Sequence, residues 1–426
     1  MVECDIRVPN QWATGFEREL SPYEYFSEMA PIFCNTDIPF SAIGEHMKEH
    51  VRRNKLSDKP RRLLIGGMAA RKMLIATPLL KWYIEHGMQV DHIYQVVEYT
   101  PMACFREFVT DVTDARRRGD DDKMSAVIAN TMKLIGNSAY GGLIMDKSKH
   151  TNIKYVRGET NACNAINDPR FKDLHQLDED IFEVENAKRT ITYDLPIQLG
   201  YFILQYAKLR MLEYYYDFMD VFVDRSDFAY CEMDTDSAYM AISGKRLEDI
   251  IKADKRQLYD NGLYGFCHVR DVNADNRVHW FPRKCCNDHE KRDKRTPGLF
   301  KLEYEGDRIV SLSSKTYCVT KDDDIKFSAK GIQRKTIEDN SNAFRVYEDV
   351  LKTKETKSAV NIGFRARNNT VFTYQQEKQG FTYFYCKREV LSNGIDTKVL
   401  DLVLCPEKKD PTDVRMADIL CELLNE

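Results

Sequence analysis

Residues 227–240 read DFAYCEMDTDSAYM. Short runs rich in apolar and aromatic residues flank the acidic stretch Asp234–Asp236 on both sides. That pattern predicts two short strands joined by an acidic turn. In extended chain a period of two sets Asp234 and Asp236 on one face of the sheet. Phe228, Tyr230, Ala238 and Met240 would anchor the hairpin and leave both acids at its mouth. Two neighbouring carboxylates repel each other unless a cation lies between them. Donors that are all oxygen suit Mg²⁺ or Mn²⁺, which leave coordination positions for phosphate oxygens. The plain alternative is a solvated turn, because Asp and Ser favour turns for backbone reasons.

Upstream, residues 133–141 read KLIGNSAYG. In a helix, Lys133, Asn137 and Tyr140 share one face at i, i+4 and i+7. A lysine there offers a point charge for a triphosphate. Asn137 can orient its neighbours, and Tyr140 gives a flat surface for a base. Gly141 and Gly142 permit close approach of another backbone or a base pair, or simply cap the helix. Before this segment, Phe105, Phe108, Val109 and Val112 recur at helical spacing, and the run ends at Arg116, Arg117, Arg118 and Gly119. The two segments predict an antiparallel helical hairpin over about 101–141 with a charged tip.

KLIGNSAYG, followed roughly a hundred residues later by YCEMDTDS, resembles motifs B and C of the family B DNA polymerases. Lys133, Asn137, Ser138, Tyr140 and Gly141 match the fixed positions of the helix motif. Asp234, Thr235, Asp236 and Ser237 match the catalytic turn. SKTYCV, with Lys315 and Tyr317, looks like the family's Lys-x-Tyr motif, and KFSAKGIQR, with Lys330 and Gly331, looks like the strand that follows it. The wording TPGLFKLEYEG … SLSSKTY and GFRARNN … FTYFYCKREVL looks most like polymerases of large self-synthesising DNA transposons and their viral relatives.

The resemblance implies an α+β right hand with an antiparallel palm sheet, helical-hairpin fingers and a small thumb. Residues 1–100 and 142–335 would be palm, 101–141 fingers and 336–426 thumb-like. It implies templated DNA synthesis with two Mg²⁺ ions, or Mn²⁺, on Asp236 with Asp234 assisting. Lys133 would neutralise the incoming dNTP and Tyr140 would face the nascent base pair. A further cation from the first finger helix would join Lys133, with Arg106, Arg117 and Lys123 as candidates. Lys315 and Tyr317 would hold the 3′ end of primer–template DNA. A terminal protein primer or an upstream polymerase segment would be a further partner. The family's motif A, like D-x-x-S-L-Y-P, has no match in residues 1–132: ELSPYEYF lacks the leading Asp, and Asp5 lies in what looks like the following strand. The exonuclease signature is also absent. The chain therefore reads as the C-terminal part of a polymerase, and in isolation it is expected to be inactive or nearly so. The alternative is a relic that binds primer–template DNA without catalysis. A D-x-D glycosyltransferase would leave Lys133–Gly141 and Lys315–Tyr317 without jobs.

Composition agrees with a folded chain, although it lacks the globally basic signature of a nucleic-acid binder. The chain has 426 residues, 43% hydrophobic and 31% charged, with a formal net charge of −4. Disorder is excluded as the main state. A chain that collects metal-binding carboxylates need not be basic overall, since its nucleic-acid groove is local. No apolar run reaches the length of a membrane span, and the start has no apolar leader. Twelve scattered cysteines point to reduced thiols in an intracellular compartment.

Along the chain, VECDIRVP, RRLLIGG and DHIYQVVEY predict strands, the last one buried, and PLLKWYIEHG predicts a helix stopped at Gly87. Together they suggest a mixed sheet with helices on one face. The rest of the first 60 residues reads as Pro-marked loops. A long amphipathic helix is expected from Pro196 to Val223. Its run Tyr214, Tyr215, Tyr216, Phe218 reads as packing, with base stacking as the alternative. GLFKLEYEG, IVSLSSKTYCVT, IKFSAKG, TVFTYQQ and FTYFYCKREVL read as strands, and the chain should end in a short acidic helix. Cys267, His268, His279, Cys285, Cys286 and His289 cluster in sequence. Adjacent Cys-Cys and Cys-His pairs do not match C-x₂-C spacing, so ordinary thiols in a surface insertion are expected, with a zinc site as the alternative. Residues 283–301 carry seven basic side chains against three acidic ones, which suits phosphate tracking or a solvated loop.

Overall fold

The structure is a computed structural model that describes residues 1–9, 25–26, 28–147, 150–264, 280–322, 324–338, 343–367 and 370–405. It is a mixed α+β fold with several small, mostly antiparallel sheets. In chain order the elements are β1 (Val2–Arg7), β2 (Ile32–Ile38), α1 (Glu45–Arg53), β3 (Arg61–Gly67), β4 (Ala69–Ile75), α2 (Thr77–Glu85) and β5 (Gln89–Val96). There follow α3 (Arg106–Asp121), α4 (Ala126–Leu143), β6 (Thr151–Arg157), α5 (Glu159–Ile166), β7 (Phe171–Asp178), β8 (Ile181–Ala187) and α6 (Ile197–Glu213). Next come β9 (Phe228–Asp234), β10 (Ser237–Ile242), α7 (Arg256–Tyr264), α8 (Asn287–Asp293), β11 (Arg308–Ser313), β12 (Thr316–Lys321) and β13 (Asp324–Ser328). The last elements are α9 (Arg334–Glu338), α10 (Ala343–Thr353), β14 (Lys357–Arg367), β15 (Thr370–Phe381), β16 (Glu389–Val390), β17 (Thr397–Lys398) and β18 (Val403–Leu404).

The N-terminal sheet has the order β18-β4-β1-β5. β1 runs antiparallel to both β4 and β5, while β18 runs parallel to β4. The strand expected at RRLLIGG is β3, but it pairs with β2 in a separate two-stranded sheet; the strand that precedes α2 and shares a sheet with β5 is β4, with β1 laid between the two. β5 is an edge strand, and Ile93 and Val96 are more than half exposed. The buried strand expected at DHIYQVVEY is corrected: a lone edge lacks a second layer to cover it. α1 was not anticipated in the first 60 residues; Met47, His50 and Val51 form its buried stripe.

α3 and α4 form the expected hairpin. Gly119 lies against Ala129 and Gly136 against Val112, so the two helices cross closely at both glycines. The Arg116–Arg118 cluster does not end its helix, which continues to Asp121. Nor do Gly141 and Gly142 cap α4: the helix runs through them to Leu143. A β-carbon at either position would meet nothing. Residues 151–187 add a three-stranded sheet, β6-β8-β7, with α5 against it.

The long helix expected from Pro196 is α6 followed by a π turn over Tyr214–Met219 and a last turn at Asp220–Phe222. Tyr214, Tyr215, Tyr216, Phe218 and Met219 are all buried. Five buried residues among six exceed the stripe that a regular helix can present. The wider turn spreads them around the core. The interruption, Asp217, accepts hydrogen bonds from Trp82 Nε1 at 2.8 Å and pairs with His86 Nε2 at 2.6 Å. Tyr216 packs against Tyr25, Phe26 and Trp82, and its hydroxyl donates to the carbonyl of Met29. The run is core, as its packing reading required.

Two expected strands are absent. Residues 299–306 of GLFKLEYEG carry no ladder, and FTYFYCKREVL keeps only Phe381 at the end of β15 and Glu389–Val390 as β16. Side chains there reach the core individually: Tyr383 and Cys386 are buried. The acidic C-terminal helix falls outside the described residues. No helix of the described residues is long and apolar enough to cross a membrane.

Lys208 of α6 has its ammonium buried with no hydrogen-bond partner among the described residues, over the rings of Phe33 at 5.1 Å and Tyr83 at 5.6 Å. Burial lowers its pKa to about 7. The unfolded chain then binds more protons than the folded one between about pH 7 and the ordinary lysine range, so stability rises with pH across that window. Lys208→Met is expected to raise stability at pH 7 by about 1–4 kcal/mol, with the gain shrinking towards pH 10. Urea unfolding at both pH values checks it; an equal gain at both would place the benefit in packing alone.

Candidate functional site

The acidic hairpin forms as expected, with Ser237 paired to Asp234 across a two-residue turn. Its geometry differs from the expected alternation. Thr235 has φ 53°, in the left-handed region, so the chain is not extended between the two acids. Asp234 ends β9 and Asp236 lies in the turn itself. A β-branched residue is costly there, and such strain is held only where surrounding contacts fix it. Here the amide of Asp236 donates to the Asp234 carbonyl at 2.6 Å, and Ser237 Oγ donates to the same carbonyl at 3.1 Å. Phe228 is buried, and Tyr230, Ala238 and Met240 pack on the core, so the anchors act as the pattern implied.

The Lys-x-Tyr segment arrives from β11 and β12. Lys315 sits in their tight turn with φ 67°. Its ammonium lies 3.1 Å from Asp234 Oδ1. The buried carboxyl of Glu232 sets this arrangement: it accepts from the Lys315 amide at 2.7 Å and from Ser311 Oγ at 2.5 Å. Burial raises the Glu232 pKa, opposed by those two hydrogen bonds. Tyr317 is buried, with its ring 4.6 Å from that of Tyr239, whose hydroxyl donates to the Tyr317 oxygen at 2.8 Å. Two segments far apart in sequence thus meet at one turn.

Lys330 and Gly331 follow β13. The Lys330 amide reaches Thr316 Oγ1 at 3.4 Å. Gly331 has φ +81°, and its carbonyl accepts from the buried Asn361 at 2.7 Å. A residue that sequence reasoning missed, Lys387, carries a charge that interacts with those of Lys330 and Asp234. Burial lowers its pKa, repulsion from Lys330 lowers it further, and Cys386 and then Asp234 oppose the shift. The signal was available: Lys387 opens the KRE that closes the aromatic run FTYFYC. Reading that run as a strand hid it.

The expected nucleotide side is placed as follows. Lys133, Asn137 and Gly141 are exposed along α4, with Tyr140 half-buried and its pKa raised by that burial. Among the described residues no hydrogen bond or ion pair links this face to the Asp234–Asp236 turn. α4 packs instead on α6, where Gly200 meets Leu143 and Ile144. Arg106 is exposed at the start of α3. Arg117 is committed elsewhere: it donates to Asp114, to the carbonyls of Arg292 and Lys294, and to Thr296 Oγ1. The side chain of Lys123 lies outside the described residues.

The donor set suits a hard divalent cation. The Asp236 carboxylate is exposed, and no described residue engages it. Asp234 Oδ1 takes Lys315 and Thr235 Oγ1, and no described residue engages Oδ2. No third carboxylate joins the pair among the described residues. Asp5 is remote in role, since it accepts from the Lys72 amide and Tyr94 Oη. Comparison with family models, curated proteins and solved structures finds no match to this chain.

Proposed function

We propose that this chain works in DNA-templated DNA synthesis as a polymerase component resembling family B. One observation carries the reading: Lys315 and Tyr317 are gathered onto the Asp234–Asp236 turn by Glu232 and Tyr239. The α3–α4 hairpin serves as fingers, the sheets around β9–β13 as palm, and the region from 336 onward as thumb.

In this reading Lys315, Tyr317, Lys330, Gly331 and Lys387 hold the primer strand, with the lysines neutralising phosphates. Lys133 and Arg106 meet the triphosphate of the dNTP; Arg117, already bound to residues 292–296, braces the hairpin instead. Asn137 orients the face, Tyr140 lies against the new base pair, and the open surface of Gly141 admits it. The primer 3′-oxygen bonds to the α-phosphorus as the bond to pyrophosphate breaks, and the hydroxyl proton leaves to solvent. Two Mg²⁺ ions, held by Asp234 and Asp236, would supply hydroxyl activation and charge stabilisation of the leaving group. The protein's own part is positioning and neutralisation. With two carboxylates at the turn, a further ligand comes from another polymerase segment, and the isolated chain is nearly inactive. A second reading, DNA binding without catalysis, is favoured by the Lys315 ammonium already resting on Asp234.

Purified chain should bind a fluorescent primer–template, and Lys315→Ala should weaken it by about 1 kcal/mol with a shallower salt dependence. Incorporation of dNTP in Mg²⁺ or Mn²⁺ separates the two readings. Neither binding nor incorporation would sink both.

A further inference from the structure

Cys285, Cys286 and His289 were expected to be ordinary groups of a surface insertion. The structure instead aims them at one point. Cys285 Sγ lies 3.2 Å and Cys286 Sγ 3.4 Å from the same ring nitrogen, His289 Nδ1. All three ligand atoms fall within 4.8 Å of one another, and all three residues are half-buried. Cys267, His268 and His279 lie outside the described residues.

A single imidazole nitrogen carries one lone pair or one proton. It cannot make a full hydrogen bond to both sulfurs at once. A cation at their common focus satisfies all three. Tetrahedral zinc, with Zn–S of ~2.3 Å and Zn–N of ~2.1 Å, sets each S···N edge near ~3.6 Å, close to what is seen. Two thiolates and a neutral imidazole balance the charge of Zn²⁺, so the half-buried site carries no net charge. Soft sulfur donors select zinc over the hard cations suited to Asp234 and Asp236.

A second observation points the same way. α8 spans only Asn287–Asp293, and its one buried residue is Asp293. A helix that short does not stand alone in water, and no apolar face holds this one. What holds it is polar: Arg283 forks onto both Asp293 oxygens at 2.7 Å. Beyond it, Arg117 donates to the carbonyls of Arg292 and Lys294, and Arg295 forks onto Asp120 at 2.9 and 2.6 Å. We propose that Cys285, Cys286 and His289 bind Zn²⁺, with water in the fourth position, and that the ion knots residues 283–296 into the platform that carries α3.

The test uses the full chain and no polymerase assay, so it stands apart from the function proposed above. Reduced chain loaded with Zn²⁺ and desalted should retain a single equivalent by mass spectrometry of the metal. Co²⁺ in its place should give a thiolate charge-transfer band and the visible bands of a tetrahedral ion. Cys285→Ser, Cys286→Ser and His289→Gln should each weaken zinc binding by more than ~100-fold, whereas Cys163→Ser, at an exposed thiol elsewhere, should not. Far-ultraviolet circular dichroism confirms folding, and His289→Gln decides the matter should a cysteine variant fail to fold. Zinc retained equally by the His289 variant, a chain that holds no zinc, or a Cys285–Cys286 disulfide formed in its place would each overturn the proposal.

Discussion

Asp236→Asn is expected to strengthen primer–template binding in EDTA and to remove its response to Mn²⁺. The first effect follows from sign. An exposed carboxylate at the turn repels the phosphates that Lys315 attracts, and losing one such charge is worth about 1 kcal/mol at this exposure. The second effect is larger. Asp236 is the fully open ligand, so its loss should weaken Mn²⁺ binding at the turn by more than ~100-fold. Any templated incorporation should fall at least ~10³-fold, since removing one stabilising group alone costs that much. Glu179→Gln, at an exposed acid on the β7–β8 turn, supplies the control. Fluorescence anisotropy with and without Mn²⁺ reads both effects. A variant that keeps the wild-type Mn²⁺ response would show that the turn is only a solvated loop.

Tyr216→Ala should cost about 3–5 kcal/mol of stability. The ring is buried and packs 5.0 Å from Tyr25 and Phe26 and 4.7 Å from Tyr215, centre to centre. Truncation empties the middle of the aromatic cluster. Tyr216→Phe keeps the packing but strands the Met29 carbonyl, at about 1–3 kcal/mol. Urea midpoints at unchanged slope measure both. If these tyrosines stacked on bases instead, the alanine variant would lose DNA affinity and keep its unfolding midpoint.

The parts of this fold legible in the sequence are those whose pattern is local. The α3–α4 hairpin follows from 3.6-residue spacing, and β9–β10 from two short apolar, aromatic runs on either side of an acidic turn. What escaped depends on tertiary context. Thr235 sits at positive φ because Asp236 and Ser237 both close onto the Asp234 carbonyl, and no propensity announces that. Gly141 and Gly142 resemble a cap, yet the helix passes through them. FTYFYCKREVL has strand composition but pairs only at its two ends, Phe381 with β14 and Glu389–Val390 with β17, so the side chains between them are buried singly. The candidate site itself was half legible. The motifs named Asp234, Lys315 and Tyr317, while Glu232, which assembles them, reads in sequence as an unremarkable acid before the turn.

The ammonium of Lys315 gives the hairpin a built-in counter-ion. The turn can therefore settle into shape at any ambient magnesium level, without waiting for an ion to quench its own repulsion. An ion that arrives must trade places with a tethered charge. A phosphate chain that draws Lys315 away would vacate the carboxylate at the same moment, so occupancy of the acidic pair becomes tied to arrival of the polyanion.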